Sequence, residues 1–157
     1  MSRLLTRLGA TFFFTGKFPV APATFASLVV TVLWAALPAA PLWLSAFLIL
    51  AVIAVGIPLA TRAEEMYGHD GRPIVIDEVA GMLITLFGLG TVAVEHRWGV
   101  AAAGFLLFRV LDVVKPPPAY QLQSLRGGWG VMADDVMAGI YGNVLLRLFF
   151  LLRGGSA

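Results

Sequence analysis

From residue 26 to residue 60 the chain carries no charged side chain, and this run constrains the fold more than any other feature. It is too long for one membrane crossing, for which about 20 apolar residues suffice. Pro38 and Pro41 break it in the stretch Pro-Ala-Ala-Pro. Proline ends a helix by removing an amide donor and clashing with the preceding turn. The run therefore predicts a helical hairpin, with a first arm over residues 24–37 and a second from residue 42 toward residue 62 or 67. Further apolar segments at 79–94, 98–114 and 136–152 bring the number to five, several of them near or below the roughly 17 to 25 residues of a spanning helix. With 59% hydrophobic and only 13% charged residues, the chain lies far from the roughly 25% charge of soluble domains. Neither an internal repeat, a low-complexity tract nor an alternating strand pattern is present. The expectation is a single all-α domain over residues 1–157, a compact membrane-embedded bundle of four to five apolar helices.

The N-terminus has a basic start and a short apolar middle, as a secretory signal does, but Lys17 interrupts it before any plausible cleavage point. Leu4, Leu8 and Phe12 recur every four residues beside Arg3 and Arg7, which predicts an interfacial helix. If each segment crosses once, residues 1–23, 61–78 and 115–135 share one face. That face holds Arg3, Arg7, Lys17, Arg62, Arg72, Lys115 and Arg126. The other holds Arg97 and Arg153, with Arg147 placed to snorkel toward it. The excess of cations makes the first face cytoplasmic. A net charge of +2 with scattered Lys and Arg leaves no nucleic-acid footprint, and the absence of cysteine excludes disulfides and thiolate chemistry.

The same alternation brings Asp77, Glu78, Asp112, Asp134 and Asp135 to one membrane boundary. Asp77 and Glu78 begin one predicted helix and Asp134 and Asp135 open the last, so each pair reads either as a helix cap or as part of a site. Asp112 stands in the last turn before Pro116, where the helix dipole disfavours an anion, with Arg109 and Lys115 three residues to either side. It reads as one rung of an ion-pair ladder or as a site residue. Converging carboxylates repel unless a cation lies between them, and oxygen-only ligands suit Mg²⁺ better than zinc. His69 and His96 fall on opposite faces without ligand spacing. A carboxylate-held Mg²⁺ among Lys and Arg suits phosphate chemistry, and the membrane boundary suggests a phospholipid headgroup. Gly128 and Gly130 of Gly-Gly-Trp-Gly either let backbone amides approach phosphate or form a turn. Ala138, Gly139 and Gly142 make a small-residue packing face, and Asn143 is placed to hydrogen-bond inside the bundle. A cation-transport protein using the same carboxylates is the rival reading, although few polar residues lie at membrane depth to form a route.

The motifs IDEVAG, FRVLDVVKPPP and GGWGVMADDVMAG, in that order and spacing, resemble those of the phosphatidylglycerophosphatase A family from about residue 17 to residue 141. The resemblance implies Mg²⁺-dependent removal of the terminal phosphate of phosphatidylglycerophosphate at the cytoplasmic side of the bacterial inner membrane. On that reading Asp77, Glu78, Asp112, Asp134 and Asp135 are the metal-ligand candidates. Asp112, Asp135, Lys115 and Arg109 are the catalytic candidates. Lys17, Thr24, Ser27, Arg126, Gly128 and Gly130 are the substrate-binding candidates. One departure stands out: the family's Pro-Gly-Thr-x-Gly-Ser reads Pro-Ala-Thr-Phe-Ala-Ser here, residues 22–27, so Ala23 and Ala26 replace both glycines. Thr24 and Ser27 then either offer hydroxyls to phosphate or, in the case of Thr24, cap the first helix.

Overall fold

The computed structural model describes residues 2–90 and 96–152, so Val94, Glu95 and Arg153 of the sequence expectations lie outside the described residues. Regular structure among the described residues is wholly helical: α1 (Arg3–Ala10), α2 (Pro22–Ala36), α3 (Leu42–Tyr67), α4 (Ile76–Thr85), α5 (Arg97–Val114), α6 (Ala119–Leu122) and α7 (Gly128–Leu152). The hairpin of α2 and α3 forms where the two prolines require it. Pro22 sits in the first turn of α2, where its missing amide costs nothing. Two helices, α3 and α7, are long and apolar enough to cross a membrane, with mean hydropathies of 2.5 and 1.5.

Three boundaries differ from the sequence expectation. The segment expected over residues 79–94 is helical only to Thr85, so α4 has 10 residues and is too short to cross a bilayer. Its successors Leu86 to Gly90 form a turn, in which Gly88 takes a left-handed φ of 72°. The last helix starts at Gly128 and not after the aspartates, so Gly-Gly-Trp-Gly supplies its first turn and Asp134 and Asp135 are interior residues. Gly128 makes this start possible, because its backbone lies against the Ile57 carbonyl of α3 and its amide donates to Thr61 Oγ1 at 2.8 Å. The N-terminal stripe ends early. Phe12, Phe13 and Phe14 are all left-handed, which takes Phe12 out of line with Leu4 and Leu8, and α1 closes at Ala10 against α3.

Around α4 the bundle is densest. Ile76 through Met82 and Thr85 are all buried, and the tightest neighbour is α7, where Gly139 lets the helices approach so closely that a Cβ there would lie 2.5 Å from the Gly81 carbonyl oxygen. A ten-residue helix is marginal alone. Packing of its Met82 and neighbours against Phe108 of α5 and Met132 of α7 holds it in place, each such buried side chain stabilising the fold by about 1.5–3 kcal/mol. Below α4, Asn143 of α7 donates to the carbonyls of Thr85 at 3.0 Å and Phe87 at 2.9 Å, and Arg147 donates to Asn143 Oδ1 and to Phe87. The hydrogen-bonding role expected for Asn143 is thus the closure of the C-terminal end of α4.

Candidate active site

At the opposite end of α4 a pocket of about 290 Å³ opens between the loop after α3 and the ends of α4, α5 and α7. Each acidic side chain arrives by a separate local rule. Asp77 and Glu78 occupy the first turn of α4, where exposed amides favour negative charge, yet Val75 is the N-cap and makes no side-chain cap bond. Asp112 and Lys115 lie where Pro116 stops α5. Lys115 adopts a left-handed φ of 47° and its amide closes on Leu111 at 2.8 Å. Asp134 and Asp135 come from the second turn of α7, displaced from the helix start by the glycine turn.

Within this pocket the carboxylates separate into two sets. One oxygen from each of Asp77, Glu78 and Asp135 lies within 4.8 Å of the others, and all three residues are buried. Asp77 Oδ1, Glu78 Oε2 and Asp135 Oδ2 are buried without a hydrogen-bond partner. Three inward carboxylates with unused lone pairs suit a hard cation that takes oxygen ligands. The second set is already paired. Arg109 binds Asp112 at 2.9 Å and reaches Glu78 at 3.9 Å, while Lys115 binds Asp134 and reaches Asp112 at 3.9 Å. Asp135, and not Asp134, belongs to the cluster. Asp134 instead fixes Lys115 and accepts the Asp135 amide at 3.0 Å.

Electrostatics follow from burial. Loss of water raises the Asp77 carboxyl well above its usual range, and the neighbouring Glu78 adds to the effect. Burial likewise pushes Glu78 up to about 8, with Asp135 and Asp112 reinforcing it and Arg109 opposing. Burial works against the Lys115 charge, but Asp134 and Asp112 outweigh it and raise its pKa. Without a cation Asp77 and Glu78 therefore hold their protons to higher pH than ordinary carboxyl groups, and a bound cation would favour their release.

Several other expected residues lie apart from this pocket. Lys17 is exposed in a short turn over Thr15–Lys17, with its ammonium 4.8 Å from the Phe14 ring centre. Arg126 is exposed and does not line the pocket. Gly128 and Gly130 are engaged in packing, the latter against the Gln123 and Leu125 carbonyls. Ser27 is buried and its hydroxyl donates to the Ala23 carbonyl at 3.0 Å. Thr24 is the third residue of α2, whose N-cap is Ala21, so it does not cap the helix. Ala23 is the residue of Pro-Ala-Thr-Phe-Ala-Ser that reaches the pocket wall, where the resembled motif carries glycine. Asp70, Gly71 and Arg72 also line it. The sequence marked Arg72 only as one cation of a face; the signal was the turn-forming His-Asp-Gly-Arg-Pro, which ends four residues before Asp77. His69 instead engages Glu64.

Comparison with known proteins gives a consistent result. The sequence matches the phosphatidylglycerophosphatase A family over residues 8–150. It is 37% identical over 142 residues to a Bacteroides thetaiotaomicron protein named "Putative phosphatidylinositol-3-phosphatase", covering 87% of each chain. It is 37% identical to phosphatidylglycerophosphatase A of Escherichia coli K12, over 82% of this chain and 73% of the relative. With phosphatidylglycerophosphatase A of Haemophilus influenzae it shares 34% identity over 85% of this chain and 82% of the relative. No solved structure matches. With all four family-like motifs contributing residues to one pocket and the match running through almost every helix, the chain belongs to the phosphatidylglycerophosphatase A family.

Proposed function

We propose that this enzyme hydrolyses the terminal phosphomonoester of phosphatidylglycerophosphate, with Mg²⁺ held by Asp77, Glu78 and Asp135, at the cytoplasmic face of a bacterial inner membrane. The observation that carries the metal reading is the trio of buried carboxylates with unpartnered oxygens and no cation from the protein bonded to those atoms. Bound there, the ion supplies Lewis-acid polarisation of a phosphoryl oxygen and eases deprotonation of water.

The chain's own residues account for the rest. Arg109 and Lys115 offset the charge of the phosphate, and their pairing with Asp112 and Asp134 holds both cations at the pocket wall before substrate arrives. Arg72 adds a cation at the exposed rim. Water oxygen bonds to phosphorus as the bond from phosphorus to the glycerol oxygen breaks. A pocket carboxylate takes the water proton and, directly or through solvent, returns a proton to the departing alkoxide, so that glycerol hydroxyl and phosphate are the products. The apolar surfaces of α3 and α7 keep the acyl chains of the substrate in lipid while its headgroup enters the pocket.

Phosphate release from phosphatidylglycerophosphate by the detergent-purified chain tests the reading. Release is expected with Mg²⁺ and not with EDTA. Asp112→Asn and Asp135→Asn are each expected to lower it by about 100-fold or more, and full activity in either variant removes that residue from the mechanism. The Bacteroides relative supports a second substrate arm, phosphatidylinositol 3-phosphate, which also presents a phosphomonoester on a lipid headgroup. Faster turnover of that lipid would reassign the substrate while leaving the chemistry unchanged.

A further inference from the structure

At the end of the bundle away from the carboxylates, a second cavity of about 300 Å³ opens among α2, α3, α4 and the turn after α4. Its wall is almost entirely apolar, with Val30, Trp34, Ile49, Leu83 and Leu86 among the lining side chains, while Leu33, Leu37 and Leu48 at its edge are exposed. Arg97, from the first turn of α5, is the one charged residue in the wall among the described residues. It is held by Trp34 from two sides: the guanidinium lies 4.9 Å from the ring centre and Nη2 donates to the Trp34 carbonyl. Arg97 Nε is buried and has no hydrogen-bond partner. Arg147 brings a second guanidinium to the same end, bonded to the carbonyl of Phe87, which also lines the cavity. No carboxylate among the described residues pairs with either arginine.

A guanidinium held beside an apolar cavity, with only neutral partners among the described residues, retains an unspent capacity to bind an anion. The shape and the charge together fit one class of ligand, an amphiphile with an apolar tail and an anionic head. We propose that this cavity binds one anionic phospholipid of the leaflet opposite the active site, its acyl chain lying along Trp34 and Leu83 and its phosphate facing Arg97. The site is separate from the carboxylate pocket, and the proposal rests on the membrane placement of the chain and not on the identity of its substrate.

Trp34 reports on occupancy directly. Trp43, Trp98 and Trp129 are exposed, so the variant with all three changed to Phe leaves Trp34 as the only tryptophan. This full-length protein in neutral detergent is titrated with phosphatidylglycerol and with phosphatidylcholine carrying identical brominated acyl chains. Saturable quenching by the anionic lipid is expected, with phosphatidylcholine weaker by roughly tenfold, because its choline cation offsets the charge of the phosphate that faces Arg97. Arg97→Gln is expected to remove that preference and Arg97→Lys to retain most of it. Ser45→Phe, which narrows the cavity without touching Arg97, is expected to reduce quenching by both lipids. Asp135→Asn is expected to leave quenching unchanged. Equal quenching by the two lipids in the parent protein overturns the proposal, as does a preference that survives Arg97→Gln. Loss of quenching in Asp135→Asn would place the lipid at the carboxylate pocket and overturn it as well. Should Arg97→Gln fail to fold, retention of full quenching in Ser45→Phe is the overturning result.

Discussion

Asp134 and Asp135 adjoin in sequence, yet one binds Lys115 and the other faces Asp77 and Glu78, because adjacent residues on a helix point about 100° apart. Their variants should fail differently. Asp135→Asn is expected to raise the Mg²⁺ concentration for half-maximal activity by about 10- to 100-fold, whereas Asp134→Asn, by freeing Lys115, should act mainly on KM for the lipid. Mg²⁺ and substrate titrations of both proteins check this, and matching profiles would count against the division. A second consequence concerns pH. The metal-free fold holds on Glu78 a proton that the unfolded chain releases near pH 4.5, and keeps it up to about pH 8. The folded state thus binds more protons across that interval, and stability falls as pH rises through it. In EDTA, Tm is expected to be lower at pH 8 than at pH 5, and added Mg²⁺ should raise it at pH 8 by binding the ionised cluster. A Tm that is flat with pH and indifferent to Mg²⁺ would contradict the assignment.

The helix pair α4 and α7 joins the site to the fold. Gly139→Ala drives a methyl group into the Gly81 carbonyl, and neither backbone can yield cheaply. It is expected to cost about 1–3 kcal/mol, read as a lower Tm together with weaker Mg²⁺ binding, since the same contact spaces Asp135 from Asp77 and Glu78. An unaltered Tm would show that the helices can separate. Much at this scale was legible in the sequence. The two prolines fixed the α2–α3 hairpin, and Pro116 placed Arg109, Asp112 and Lys115 at a helix end. The unread boundaries depend on partners distant in the chain. Apolar residues continue past Thr85, so hydropathy extends α4 where Asn143 and Arg147 terminate it by taking its carbonyls. Gly127 to Gly130 has the composition of a turn, and only contact with Ile57 and Thr61 makes most of it helix. For the site, spacing identified the acidic residues and their cations but not their pairing, because pairing depends on helix rotation. The loop carrying Asp70 and Arg72 lacked a periodic pattern that would place it.

Across the whole molecule, the carboxylates and Arg97 lie toward opposite ends of α4, an arrangement that makes the expected two membrane faces testable. The chain has no cysteine, so single replacements report orientation without background. An impermeant thiol reagent applied to intact cells is expected to label His96→Cys, and to label Lys17→Cys and Ser124→Cys only after permeabilisation. The reverse pattern would turn the active site outward. The closure of α4 by Asn143 and Arg147 also sets an order of assembly. The carbonyls of Thr85 and Phe87 find these donors on a helix synthesised more than fifty residues later. While the ribosome is still making α5, the acidic half of the centre has no settled resting place. It locks only when the final helix arrives, bringing Asp135 on one turn and the latch for α4 two turns beyond. A chain interrupted before that helix would thus lack both Asp135 and the donors that close α4, and it is expected to be inactive.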